Sequence, residues 1–200
     1  MLLGDRACGA VDLDQSEQAG HRSGRGNGLI GWFEGLSAAG KTTVARALQS
    51  RLLRLGLESI LLDGDQFRGT YSRDLGFSQH DRIVNITRAG RIARRFAISG
   101  RIVLAAFITP FQNSRQTLAK MFQGLNYLEV FCECPVSVCE TRDPKGLYRL
   151  ARSGKITDFT GITSPFEYPR NPDLVLPTHL LSTADCVDRV LRSVTLAGIR

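Results

Sequence analysis

No apolar run in this chain approaches the roughly 20 residues that a helix needs to cross a bilayer. The first residues carry no basic-then-apolar leader, and Asp5, Asp12, Asp14 and Glu17 are unlike a transit peptide, which avoids acids. The expected location is therefore the cytoplasm, with no membrane partner. Cysteine offers no disulfide framework: Cys8, Cys132, Cys134, Cys139 and Cys186 are odd in number and lack C-x-x-C spacing. The three histidines, His21, His80 and His179, are scattered, so a zinc site lacks ligands. Reduced, buried thiols in a reducing compartment are the reading that remains. Lysine is scarce as well. Only Lys41, Lys120, Lys145 and Lys155 stand among 26 basic residues, so the net charge of +7 is largely an arginine charge. Arginine serves nucleic acids, and it serves small polyanions equally through paired guanidinium hydrogen bonds. Charge alone does not choose between them.

One of the four lysines sits in a pattern that does choose. Gly35-Leu-Ser-Ala-Ala-Gly-Lys-Thr42 fits G-x-x-x-x-G-K-[ST], between the apolar stretch Leu29-Ile30-Gly31-Trp32-Phe33 and a helical start at Val44-Ala45-Arg46-Ala47-Leu48. Strand, glycine-rich turn and helix N-terminus are the setting that a phosphate-binding loop requires. Gly35 and Gly40 let the backbone curl until successive N–H groups converge on phosphate oxygens. The helix dipole adds positive potential, Lys41 reaches the β- and γ-phosphates, and Thr42 offers a hydroxyl to Mg²⁺. The plainer alternative is a glycine-rich turn capping a helix beside a surface lysine. The surrounding strand and helix favour the first reading: a chain that binds a nucleoside triphosphate.

Two hundred residues with 42% apolar content suit one α/β domain with a sizeable core. Residues 1–27 are polar and glycine-rich, which predicts a flexible tail before a domain at 28–200. From residue 29, apolar runs alternate with helical periods. That pattern predicts a three-layer α/β fold of the P-loop NTPase type, a parallel sheet flanked by helices. The predicted strands are 29–34, 58–63, 101–108, 127–133 and 173–176; the predicted helices are 41–55, 81–99, 112–122, 136–141, 145–153 and 183–197. Within 81–99, Ile86, Ala89, Ala93, Phe96 and Ala97 should face the core, and Arg88, Arg91 and Arg95 form a solvated stripe. No internal repeat or second domain is visible.

In such sheets ligands bind beyond the carboxyl ends of the strands, so chemistry is sought there. After the second run comes Asp63-Gly-Asp65-Gln-Phe-Arg68. One carboxylate can hold Mg²⁺ and the other can take a proton from an attacking hydroxyl; the bland alternative is an Asp-Gly turn. Asp74-Leu-Gly-Phe77-Ser-Gln-His-Asp81-Arg82-Ile-Val-Asn85 reads, on spacing alone, as a capped helix with surface polar residues. Thr109-Pro110-Phe111 follows the third run. Arg142-Asp-Pro-Lys145 opens a basic segment running on to Lys155 that suits a lid over phosphates, or simply an exposed basic helix. The aromatics of Phe159-Thr-Gly-Ile162 can stack on a base or anchor their own loop.

Taken together these segments resemble the adenylylsulfate (APS) kinase family, which phosphorylates the 3′-hydroxyl of adenosine 5′-phosphosulfate. The resemblance rests on residues 35–42, Leu62-Asp-Gly-Asp65 with Arg68, and Asp74-Leu-Gly-Phe77-Ser with Asp81, Arg82 and Asn85. It continues through Phe107-Ile-Thr-Pro110, Asp143-Pro-Lys-Gly-Leu-Tyr148, Phe159-Thr-Gly-Ile162 and Asn171-Pro-Asp-Leu-Val175, in family order across nearly all of 29–178. It implies ATP as donor, APS as acceptor and Mg²⁺ as cofactor. Gly35, Leu36, Ser37, Ala38, Ala39, Gly40, Lys41 and Thr42, with Arg142, would bind ATP. Asp63 would be the catalytic carboxylate, working with Lys41, and would share the metal with Thr42. Asp65, Arg68, Phe77, Arg82, Asn85, Lys145 and Phe159 would hold APS, the two phenylalanines clasping its adenine. Thr109 stands where the family usually has a serine and is placed at the site among the catalytic residues. Gln66, Gln112, Ala38 and Gly69-Thr-Tyr-Ser72 also depart from the family pattern. A homodimer and a functional link to ATP sulfurylase are further implications; nucleic acid is not an expected partner. Another P-loop small-molecule kinase, or a non-catalytic nucleotide-binding module, is the alternative.

Overall fold

A run of six buried residues, Leu29–Glu34, forms β1, and only a strand covered on both faces can bury such a run. The computed structural model describes residues 28–196; the tail expected at 1–27 lies outside the described residues. β1 pairs in parallel with β3 (Ile102–Phe107) on one side and β4 (Asn126–Glu133) on the other. β2 (Ser59–Asp63) extends the sheet beyond β3, and β5 (Leu174–Pro177) extends it beyond β4. The strand order is β2-β3-β1-β4-β5. The chain completes one side of β1 before crossing to the other, so a crevice opens beyond the carboxyl end of β1.

Side chains alternate between two cores. Ile30, Trp32, Val103, Ala105 and Phe107 point to the face covered by α2 (Gly64–Thr70), α3 (Gln79–Ile98) and α4 (Gln112–Met121). Phe33, Leu104 and Val130 point to the other face. That face is covered by α1 (Lys41–Arg54), α5 (Val136–Arg142), α6 (Leu147–Arg152) and α7 (Thr183–Leu196). Trp32 stacks on Phe107 with ring centroids 5.1 Å apart. Ile86, Ala89, Ala93 and Ala97 of α3 are buried as the periodicity predicts, with Phe96 packed at their margin. The predicted strands and helices are all present. One element escaped the sequence: α2, a short helix directly after Asp63, where only a turn was legible. α3 also begins two residues before its expected start, because Ser78 rather than Asp81 is the capping residue. No described helix is long and apolar enough to cross a membrane.

The end of β1 is fixed by buried charge. Glu34 is fully buried, and Arg115 of α4, also buried, donates through Nε to both of its oxygens at 2.8 and 2.9 Å. Arg115 Nη2 also donates to the Thr109 carbonyl at 2.6 Å, tying the chain after β3 to the end of β1. Glu129 of β4 lies 3.8 Å from the same guanidinium, so two carboxyls share one cation. Burial, with Glu129 adding to it, pushes Glu34 from 4.5 up to about 8 against the pull of Arg115. Folded Glu34 then keeps a proton that the unfolded chain has lost. Its contribution to stability is full below the unfolded value and falls as pH rises through the folded one, by up to about 1.4 kcal/mol per pH unit. Urea midpoints should therefore decline between pH 5 and pH 8 in the parent, and Glu34→Gln should flatten that decline. Equal slopes in the two proteins would place the proton elsewhere.

Candidate active site

The turn after β1 is shaped by two glycines. Gly35 has φ +142°, and a Cβ there would meet the Cys132 carbonyl oxygen at 2.6 Å. Gly40, at φ +88°, begins α1 with no side-chain cap, which leaves the first N–H groups of that helix available to an anion. Ala38 has φ +59°, in the left-handed region that favours glycine. A left-handed alanine costs about 1–2 kcal/mol, and here the strain sits in the phosphate loop itself. Lys41 is nearly buried and donates to the Leu36 carbonyl at 2.6 Å. Burial pulls its pKa below the ordinary lysine value.

Asp63 closes β2 and starts α2. Its Oδ1 accepts from the Asp65 and Gln66 amides at 3.0 and 3.3 Å, capping α2, while Oδ2 accepts from the Thr42 hydroxyl at 2.7 Å. A hydroxyl and a carboxylate beside a phosphate loop form the hard-oxygen pair that suits Mg²⁺. Asp65 is exposed and pairs with Lys145 of the segment between α5 and α6. Arg142 reaches back from α5 to the Ala38 and Thr178 carbonyls, at 3.4 and 2.8 Å.

α2 carries Arg68, whose guanidinium lies 4.5 Å from the centroid of the exposed Phe77 ring. Arg68 Nη1 donates to the Gly76 carbonyl at 2.9 Å, shaping the turn that presents Phe77. Arg82 is buried at the start of α3. Its Nε donates to the Phe77 carbonyl at 2.8 Å, Nη1 to Thr160 Oγ1 at 2.7 Å, and Nη2 to the Asp158 carbonyl. Much of its donor capacity is thus spent holding the Phe77 turn and the Phe159 loop together. Asn85, one helical turn on, is buried with Oδ1 unpartnered.

One cavity of about 1370 Å³ brings these groups together. Its walls include Ser37, Ala38, Gly40, Lys41, Thr42, Asp63, Asp65, Arg68, Phe77, Arg82, Asn85, Arg142, Lys145 and Phe159. That volume exceeds the 300–1,000 Å³ common for one small ligand. Gly35, Leu36 and Ala39 are not on the walls. Leu36 and Ala39 place their side chains in the core, so anything they offer a phosphate comes from the backbone.

Thr109 stands apart from these groups. It is fully buried, its Oγ1 accepts from the Trp32 indole at 2.9 Å, and it does not line the cavity. The hydroxyl is directed into the sheet face by the indole N–H, which needs an acceptor there.

Two other residues were given no role from the sequence. Thr178, just beyond β5, lines the cavity and donates to the Ala39 carbonyl at 2.8 Å, bracing the phosphate loop. The strand-end rule points to it, since it follows the last strand directly, as Asp63 ends the second. Tyr148 of α6, legible only as the end of a family motif, donates to the Ser37 carbonyl at 3.0 Å.

Comparison with known proteins bears on this arrangement. The family profile described as adenylylsulphate kinase matches residues 27–177. An adenylyl-sulfate kinase of Clostridium kluyveri is 45% identical over 165 residues, covering 82% of this chain and 82% of its own length. Another from Prochlorococcus marinus is 45% identical over 183 residues, covering 91% of this chain and 89% of that protein. Among solved structures, the Mycobacterium tuberculosis APS kinase in complex with AMPPNP and APS superimposes with a TM-score of 0.82 at 41% identity. That match covers 84% of this chain and 98% of the other. The phosphate loop, the Asp63 corner and the arginine-aromatic wall thus occur in a chain that belongs to the adenylylsulfate kinase family.

Proposed function

We propose that this chain transfers the γ-phosphoryl group of ATP to the 3′-hydroxyl of adenosine 5′-phosphosulfate, giving 3′-phosphoadenosine 5′-phosphosulfate. The observation that carries the reading is the two-sided cavity. A phosphate loop forms one wall, and Arg68, Phe77, Asn85 and Phe159 form the other. Asp63 is bonded to both walls, to Thr42 on one side and to the helix bearing Arg68 on the other.

ATP lies with its phosphates on the amides of residues 37–42 and its γ-phosphate beside Lys41, whose ammonium leaves the Leu36 carbonyl for the phosphate oxygens. Thr42 and Asp63 would hold Mg²⁺, which would supply positive charge to the phosphates. The adenine of APS sits between Phe77 and Phe159, and the unpartnered Asn85 Oδ1 accepts from an acceptor donor group. Arg68 reads the phosphosulfate through charge-assisted hydrogen bonds. The 3′-oxygen attacks the γ-phosphorus in line as the bond to the ADP oxygen breaks. Asp63 Oδ2 accepts the hydroxyl proton, since Oδ1 is committed to α2. Lys145 closes over the phosphates and excludes water. A cytoplasmic, reducing setting accords with Cys132, Cys134, Cys139 and Cys186, all free and buried. A homodimer and a link to ATP sulfurylase travel with the family reading.

Direct transfer leaves Thr109 no covalent role. Thr109→Ala should keep transfer within a few-fold of the parent while losing about 1–3 kcal/mol of stability through the orphaned Trp32 N–H. A folded, ATP-binding Thr109→Ala protein that is inactive, with phosphate trapped on Thr109 in the parent, would instead require a phosphoenzyme.

The acceptor half is tested by comparing APS with AMP, which share adenine and the 3′-hydroxyl. Each charge-assisted contact is worth roughly 1.5–3 kcal/mol, so kcat/KM should favour APS by about tenfold or more. Arg68→Ala should erode that preference and leave the KM for ATP near the parental value. Equal efficiency on the two acceptors in the parent would contradict the assignment.

A further inference from the structure

Tyr148 lies outside the donor and acceptor sets described above, yet it touches both. Its side chain is 2% exposed. The hydroxyl donates to the Ser37 carbonyl within the phosphate loop at 3.0 Å. The ring meets Phe159 edge-on, with centroids 4.8 Å apart and planes at 74°.

Phe159 is not free to follow a moving neighbour. Its amide donates to Thr163 Oγ1 at 2.8 Å, and its carbonyl accepts from the amides of Ile162, Thr163 and Ser164. Gly161 beside it has φ +88°, and a Cβ there would meet Leu36 at 2.7 Å, so the loop is pressed against the phosphate loop. Thr160 is held by Arg82. The loop around Phe159 is therefore stiff, and Tyr148 is the side chain that gauges its distance from Ser37. Burial raises the Tyr148 phenol above its ordinary value, so the hydroxyl remains a donor throughout the working pH range.

We infer that Tyr148 is a positioning residue that registers the Phe159 jaw of the acceptor site against the phosphate loop. It thereby sets the distance between the bound γ-phosphate and the acceptor hydroxyl. The inference rests on the two-nucleotide reading given above. Its physical basis is that in-line transfer tolerates little misplacement: an error of about 1 Å can cost on the order of a hundredfold in rate. A tyrosine serving only to fill the core would contribute through its ring, and loss of the hydroxyl would change stability without a selective effect on transfer.

The two roles separate in Tyr148→Phe, which keeps the ring and removes the bond to Ser37. The measurements are kcat and KM for ATP and APS, ATP hydrolysis without acceptor, and thermal stability. Tyr148→Phe should keep both KM values within about twofold and leave unaided hydrolysis unchanged, while kcat for transfer falls roughly tenfold. Tyr148→Leu should also raise the KM for APS several-fold, because Phe159 loses its wall. Parental kcat in a folded Tyr148→Phe protein would overturn the positioning role, as would a fall shared equally by unaided hydrolysis. A parent that does not phosphorylate APS at all would overturn the substrate reading and this inference with it.

Discussion

Asp63 divides its carboxylate between two helices, and the arrangement of the site depends on that division. Oδ1 caps α2 through two backbone amides, and Oδ2 accepts from Thr42 at the start of α1. An aspartate at the end of β2 can do both because β2 and β1 run parallel, separated only by β3, and end at the same edge of the sheet. Capping α2 aims Arg68 toward the Phe77 turn. The bond to Thr42 holds the same carboxylate against the first turn of the phosphate-binding helix. Donor and acceptor walls are thus referred to one side chain, and any chemistry between them starts from a fixed origin.

Deeper in the fold, buried charge holds the strand ends that carry these residues. The Glu34–Arg115 pair is strongly desolvated, and such pairs are poor sources of net stability. Its geometric effect is clearer. One guanidinium bonds the last residue of β1 and the carbonyl of Thr109 beyond β3, so the two strands flanking the crevice cannot end in independent positions. Thr178 braces the phosphate loop from β5 in the same sense. Lys145 and Asp65, by contrast, form an exposed pair that solvent and salt weaken. The contrast suits a fixed frame and, in the transfer proposed above, a segment free to close.

Much of this was legible in the sequence because the signals were local. The phosphate loop is contiguous, the strands are short apolar runs, and α3 shows its core face through helical spacing. Asp63, Asp65 and Arg68 could be located by the strand-end rule, and the family resemblance supplied Phe77, Asn85 and Phe159. What was hidden depends on contacts between segments far apart in the chain. Thr109 looks like a strand-end residue, but Trp32, 77 residues earlier, claims its hydroxyl. Arg82 looks like a free cation, but residues 158 and 160 take up part of its donor capacity. Tyr148 looks like an ordinary core aromatic until the Ser37 carbonyl, 111 residues away, is seen to meet it. The short helix α2 was missed because its capping bonds come from a side chain that spacing assigns to the strand.

The central claim is that Asp63 takes the acceptor proton while its other oxygen only holds structure. Asparagine at that position can still cap α2 through its one oxygen, while its amide N–H donates to the Thr42 hydroxyl, so Asp63→Asn should fold and still bind ATP. It cannot accept a proton at a carboxylate. The decisive measurement is the single-turnover rate of phosphoryl transfer from ATP to APS in the parent and in Asp63→Asn, with ATP binding measured alongside. The account predicts ATP affinity within a few-fold of the parent and a rate lower by about 10²–10⁴-fold. A near-parental rate in the folded, ATP-saturated variant would contradict it.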